Sequence, residues 1–221
     1  MTEAGQTPLP LVVLISGSGS NLQAIIDACA NGQINAEIKA VISNKADAFG
    51  LKRAQRANIP THVLDHSLFG NRQSFDRALK KLIDGYQPGL LVLAGFMRIL
   101  TEEFVNHYLG RMLNIHPSLL PNFQGLNTHK RAIESGVKQH GVSVHFVTPE
   151  LDGGPVVNRA RIDVDNTDTP ESLGKRILAE EHKIYPEAIG WFADGRLQLT
   201  GRQAVLDNTP VPQMEKDVDE S

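Results

Sequence analysis

"LVVLISGSGSNLQAIIDAC", residues 11–29, carries three signals in succession. Leu11 to Ile15 is a continuous apolar run, as expected of a strand covered on both faces of its sheet. Gly17 and Gly19 interrupt it. From Ser20 onward, Leu22, Ile25, Ile26 and Cys29 recur at the spacing of one helix face. Ser20 and Gln23 stand at capping-box spacing, which starts the helix in the loop, and Asn31-Gly32 ends it. Strand, glycine loop and helix together predict the opening of a doubly wound α/β fold.

The same rhythm continues outward from this unit. A strand is expected at 36–42, a short helix near 47–57, a strand at "THVLD" and an amphipathic helix marked by Phe75, Leu79, Leu82 and Ile83. Pro88-Gly89 leads into "LLVLAG", Thr101 caps a short helix, and "RMLNIHP" reads as another strand. Alternating strands and helices over roughly the first half predict a Rossmann-like, mostly parallel sheet with helices on both faces. The second half differs. "GVSVHFVT" (141–148) and "PVVNRARIDV" (155–164) follow one another without a long helix, which predicts an antiparallel C-terminal extension of the sheet. Thr169-Pro170 opens a long helix with a kink expected at Pro186. Strands at "RLQLT" and "AVL" then form a hairpin. No repeat or linker divides residues 1–207, which read as a single domain with halves at about 11–110 and 111–207. The polar, acidic segment 208–221 reads as a disordered tail.

Composition narrows the function classes. Hydrophobic residues make up 41% and charged residues 21%, ordinary for a globular enzyme, and the net charge of −3 gives no general attraction to nucleic acid or membrane. The single cysteine, Cys29, excludes an internal disulfide and a thiolate metal cluster. The amino terminus lacks a basic start followed by an apolar stretch, and no apolar run approaches membrane-spanning length. The expectation is a cytoplasmic enzyme of small-molecule substrates, with no nucleic-acid or membrane partner, as a monomer or weak homodimer.

Two clusters carry chemistry. In "LNIHPSLLP" (113–121), strand alternation puts Asn114 and His116 on one face, and Pro117 stops the strand at a carboxyl end, where open α/β sheets bind ligands. In "ELDGGP" (150–155), Asp152 precedes two glycines that permit a tight turn. Taken singly, His116 could be structural and Asp-Gly-Gly-Pro a surface turn. His145, on the same strand face as Ser143, could be a satisfied core histidine. The glycine loop fails the dinucleotide pattern, because Leu22 stands at the third glycine position and no acid follows the second strand. Free N–H groups of Gly19, Ser20 and Asn21 at a positive helix end suit one phosphate monoester, although a tight turn alone remains open.

Over residues 11–207 the sequence resembles the phosphoribosylglycinamide formyltransferase family. The likeness rests on "ISGSGSNLQAII", "SNKADAFGL", "VLAGFMRIL", "NIHPSLLPNFQG", "HGVSVHFVTPELDGGPVV" and "EHKIYP". The resemblance implies formyl transfer from the co-substrate 10-formyltetrahydrofolate to the amine of glycinamide ribonucleotide, a step of purine biosynthesis that needs no metal. It makes Asn114, His116 and Asp152 the catalytic set. Gly19, Ser20 and Asn21 would hold the substrate phosphate and Glu181 its ribose. Met97, Arg98, Ile99 and Leu100, mostly through backbone groups, would line the pterin site with Asn114. Arg72 would face the donor's benzoylglutamate end. Family members often carry Gln or Lys three residues before that Glu; here the position is Leu178.

The implied chemistry suits these residue types. Amine attack on a formyl carbon builds an anionic oxygen, and donors already aimed at it lower the barrier. Asn114 donates through its amide; His116 donates best when protonated, a form that a nearby carboxylate such as Asp152 favours. The carboxylate could also relay the amine's proton to the departing folate nitrogen. Formyl transfer to methionyl-tRNA or to water, and a non-catalytic nucleotide-binding module, are the competing readings. The first lacks an RNA-binding domain, the second leaves the phosphate loop unused, and the third leaves Asn114, His116 and Asp152 unexplained.

Overall fold

The computed structural model describes residues 7–216. Five strands come first: β1 (Leu9–Ile15), β2 (Ala36–Ser43), β3 (Thr61–Val63), β4 (Leu90–Leu93) and β5 (Met112–His116); the apolar runs of β1 and β4 are buried on both faces, while β3 lies partly exposed at the sheet edge. All five are parallel; β6 (Gln139–Phe146) and β7 (Val156–Asp163) then continue the sheet antiparallel, in the order β3-β2-β1-β4-β5-β6-β7. The expected doubly wound sheet with an antiparallel extension is the observed fold.

Strand alternation divides the core in two. Leu11, Val13 and Ile15 meet α1 (Ser20–Ala30), α2 (Phe49–Arg56) and α6 (Pro170–Ala193) on one face. Val12 and Leu14 meet α3 (Arg72–Asp84) and α4 (Glu102–His107) on the other. The short α5 (Thr128–Glu134) packs beside α6 on the first face. Cys29 packs against that first core, and burial pushes its thiol up to about 11, as expected of an inert sulfur. Thr169 caps α6 with Pro at its start, as predicted; Ser172 closes a capping box with it, and the helix runs on through Pro186 as one element.

Two expectations need correction. Ser20 does not cap α1: it is the first helical residue, the N-cap is Gly19 at φ 69, and no side chain takes the cap bond. A glycine in the left-handed region starts the helix sharply and leaves the first-turn N–H groups open. Nor is the tail disordered from 208. After the predicted hairpin of β8 (Leu197–Thr200) and β9 (Gln203–Leu206), Thr209–Pro210 pairs with β9 as β10. The chain then runs along β7, where Gln213 Oε1 accepts from the Val156 N–H at 2.9 Å and its Nε2 donates to the Val156 carbonyl at 3.0 Å. Tail composition does not show that an edge strand offers such partners. Residues 217–221 lie outside the described residues.

Candidate active site

Strand order reverses between β1 and β4, the switch point at whose carboxyl edge open α/β sheets place their ligand crevice. The glycine loop 16–19 leaves β1 on one side of it, and segment 94–101 leaves β4 on the other. Gly19 lies against α2: a Cβ there would stand 2.5 Å from the Gly50 Cα. Behind the loop, the Asn21 amide donates to Glu181 Oε2 at 2.6 Å, joining the start of α1 to the middle of α6. Burial raises the pKa of Glu181, and the Asn21 bond opposes that shift. Asn21 Oδ1 is buried without a partner among the described residues, an acceptor suited to a ligand hydroxyl. Gly19, Ser20, Asn21 and Glu181 are therefore brought together.

The catalytic candidates converge one strand further along. Asn114 and His116 share the face of β5 that alternation predicts, and Pro117 ends the strand. Asp152 returns on the β6–β7 loop, where its Oδ2 lies 3.5 Å from His116 Nδ1 and accepts from the Gly125 N–H at 2.9 Å. Tight packing allows this approach: a Cβ on Gly154 would strike the Phe146 carbonyl. His116 Nε2 lies 2.9 Å from the Phe123 carbonyl, so both ring nitrogens face oxygen atoms.

His145 is the buried, hydrogen-bonded histidine that the sequence allowed, and it also touches the candidate site. The β5–β6 register sets it directly opposite Asn114. Its Nδ1 lies 2.9 Å from the Phe146 carbonyl, and its Nε2 lies 3.1 Å from Asn114 Nδ2. Burial lowers its pKa to about 4, despite that carbonyl bond and the nearby Asp152 carboxylate. The ring is neutral at pH 7, with hydrogen on Nδ1 and Nε2 accepting from Asn114. That bond fixes which end of the Asn114 amide points into the site. Antiparallel pairing with Asn114 was the missing signal; strand-face alternation alone does not give register.

Segment 94–101 is irregular, with Met97 and Ile99 exposed. The Arg98 guanidinium lies over the Phe75 ring at 4.5 Å, directed into the protein. Leu100 packs against the α3 side of the core. Arg72 stands exposed at the start of α3 and makes no hydrogen bond or ion pair with another candidate residue among those described. Leu178 is half-buried on α6, one turn before Glu181.

The sequence profile of the family described as formyl transferase matches residues 9–189. The chain belongs to the formyl transferase family. Within that family it is 56% identical over 202 residues to the phosphoribosylglycinamide formyltransferase of Escherichia coli, covering 91% of this chain and 95% of that one. A segment of the human trifunctional purine biosynthetic protein adenosine-3 is 47% identical over 189 residues, 86% of this chain and 19% of that protein. The solved structure of the Coxiella burnetii phosphoribosylglycinamide formyltransferase superposes with a TM-score of 0.89 at 57% identity, covering 93% and 96% of the two chains. Among the described residues no group of three or more His, Cys, Asp or Glu is placed to hold a metal ion, and no helix is long and apolar enough to cross a membrane.

Proposed function

We propose that this chain transfers the formyl group of 10-formyltetrahydrofolate to the amine of glycinamide ribonucleotide, giving N-formylglycinamide ribonucleotide and tetrahydrofolate in purine biosynthesis. The observation that carries the reading is the convergence of Asn114, His116 and Asp152 beside the crevice that the glycine loop opens onto. Near-full-length likeness to phosphoribosylglycinamide formyltransferases supports it.

The first-turn N–H groups at Gly19, Ser20 and Asn21 bind the phosphate, and Glu181 with the unpartnered Asn21 Oδ1 takes the ribose hydroxyls. The donor's pterin lies along Met97, Arg98, Ile99 and Leu100, with Asn114 at its reactive end and Arg72 toward its benzoylglutamate. When the amine attacks, the formyl oxygen gains charge. Asn114 donates to it through an amide already oriented by His145. His116 donates through Nε2, which must first exchange the Phe123 carbonyl for the substrate oxygen. Losing one such donor typically costs about 10²–10³ in rate. Asp152 orients the His116 ring through Nδ1 and, through water, carries the amine's proton to the departing folate nitrogen.

Residues 1–207 act as one domain, with phosphate binding in the half at about 11–110 and folate binding and catalysis at about 111–207. The enzyme works in the cytoplasm on small molecules as a monomer or weak homodimer, without nucleic acid or membrane. The test is to supply the formyl donor with glycinamide ribonucleotide, methionyl-tRNA or water alone, and measure which acceptor consumes it. Preferred consumption by the tRNA or by water would overturn the reading.

A further inference from the structure

Two loops that flank the crevice share one hydroxyl. Ser16 follows the last residue of β1 and is 6% exposed. Its N–H donates to the Gly95 carbonyl at 3.1 Å, its Oγ accepts from the Met97 N–H at 2.8 Å, and the same Oγ donates to Asn44 Oδ1 at 2.6 Å. Asn44, itself 3% exposed, is in turn held beside His66 Nδ1. One side chain thus joins the segments leaving β1, β2 and β4, and Gly17 to Gly19 follow it directly along the chain. Met97 N–H, the first backbone donor of the segment placed along the pterin, is already committed to Ser16. Its role is therefore to hold that segment in place.

We propose that Ser16 is a positioning residue that registers the two substrates against each other. It fixes the separation between the phosphate held at Gly19–Asn21 and the formyl donor lying along Met97–Leu100, and so the approach of amine to formyl carbon. This rests on the proposed function above. Each substrate keeps its own contacts when the hydroxyl is removed, but their mutual alignment loosens. Misplacing reacting groups by about 1 Å can cost on the order of 10²-fold in rate.

The test measures Ser16→Ala turnover with two acceptors on one preparation: glycinamide ribonucleotide and its dephosphorylated riboside, with 10-formyltetrahydrofolate as donor. With the ribonucleotide, kcat is expected to fall about 10–100-fold while KM for either substrate moves by less than about threefold. With the riboside, which leaves the glycine loop empty, wild type and variant are expected to turn over alike. Any loss of folded protein scales both acceptors equally and cancels in their ratio. Equal slowing of both acceptors, or a rise in KM at unchanged kcat, would overturn the registration. If Ser16→Ala does not fold, Asn44→Ala removes the acceptor that orients the Ser16 hydroxyl and is expected to slow the ribonucleotide selectively in the same way. A wild-type protein that formylates no ribonucleotide overturns the function itself; one that does so, with an unchanged acceptor ratio in the variants, overturns the registration alone.

Discussion

Asp152 holds a left-handed backbone at φ 50, a conformation that Asp and Asn tolerate better than most residues. Its carboxylate reaches two groups from there, His116 Nδ1 and the Gly125 N–H, while the neutral His145 ring stands 3.9 Å away. Asp152→Asn keeps the size and the backbone preference but loses the carboxylate that faces His116 Nδ1 and the proposed means to carry a proton. Turnover is expected to fall about 10²-fold or more with little change in either KM, read by steady-state kinetics at pH 7. Near-normal kcat would remove Asp152 from the chemistry. Strand alternation and a Gly-Gly turn are local signals that drew attention to Asn114, His116 and Asp152, and the family resemblance is what made them the catalytic set. Local signals could not rank His145, whose task depends on which residue of β5 it faces. That is a long-range pairing, and adjacent residues do not encode it.

At the scale of elements, the glycine loop was legible as strand, turn and helix, while its cap was misread. Capping-box spacing at Ser20 and Gln23 is a real preference, but here the fold starts α1 at a left-handed Gly19 pressed against Gly50. A side chain at position 19 meets both the strained φ and the α2 backbone. Gly19→Val is therefore expected to displace the loop, raising KM for glycinamide ribonucleotide at least about tenfold while KM for the folate stays within about twofold. The same strain costs on the order of 1–3 kcal/mol of stability. Kinetics and thermal melts on the same sample check both, and equal loss of the two substrates would count against a phosphate cradle. The tail taught the converse lesson. Its composition is that of a disordered segment, yet β7 is an edge strand whose free backbone groups Gln213 can satisfy. Topology decided that, not the local sequence.

The whole molecule carries a pH dependence set by buried histidines. Burial lowers His140 and His145 from 6.5 to about 4 each, and lowers His129 and His182 in the same direction. Between those values the unfolded chain binds protons that the folded state refuses. The stabilisation is therefore complete above pH 6.5 and lost as pH falls toward 4, at up to about 1.4 kcal/mol per pH unit for each fully shifted histidine. Glu181 works in the opposite sense. Its folded pKa is raised, so its contribution is present below 4.5 and lost as pH rises through the folded value. The carboxylates with lowered values, Asp65, Asp84, Asp168 and Asp207, act below this window. Two strongly shifted histidines and two milder ones outweigh one glutamate. Denaturant unfolding is thus expected to show stability falling steadily from pH 7 to pH 5. His140→Gln, which cannot take up a proton in either state, should make that fall shallower. A profile that stays flat or rises over the interval would mean that the buried rings are not held neutral, and with them the His145 bond that orients Asn114.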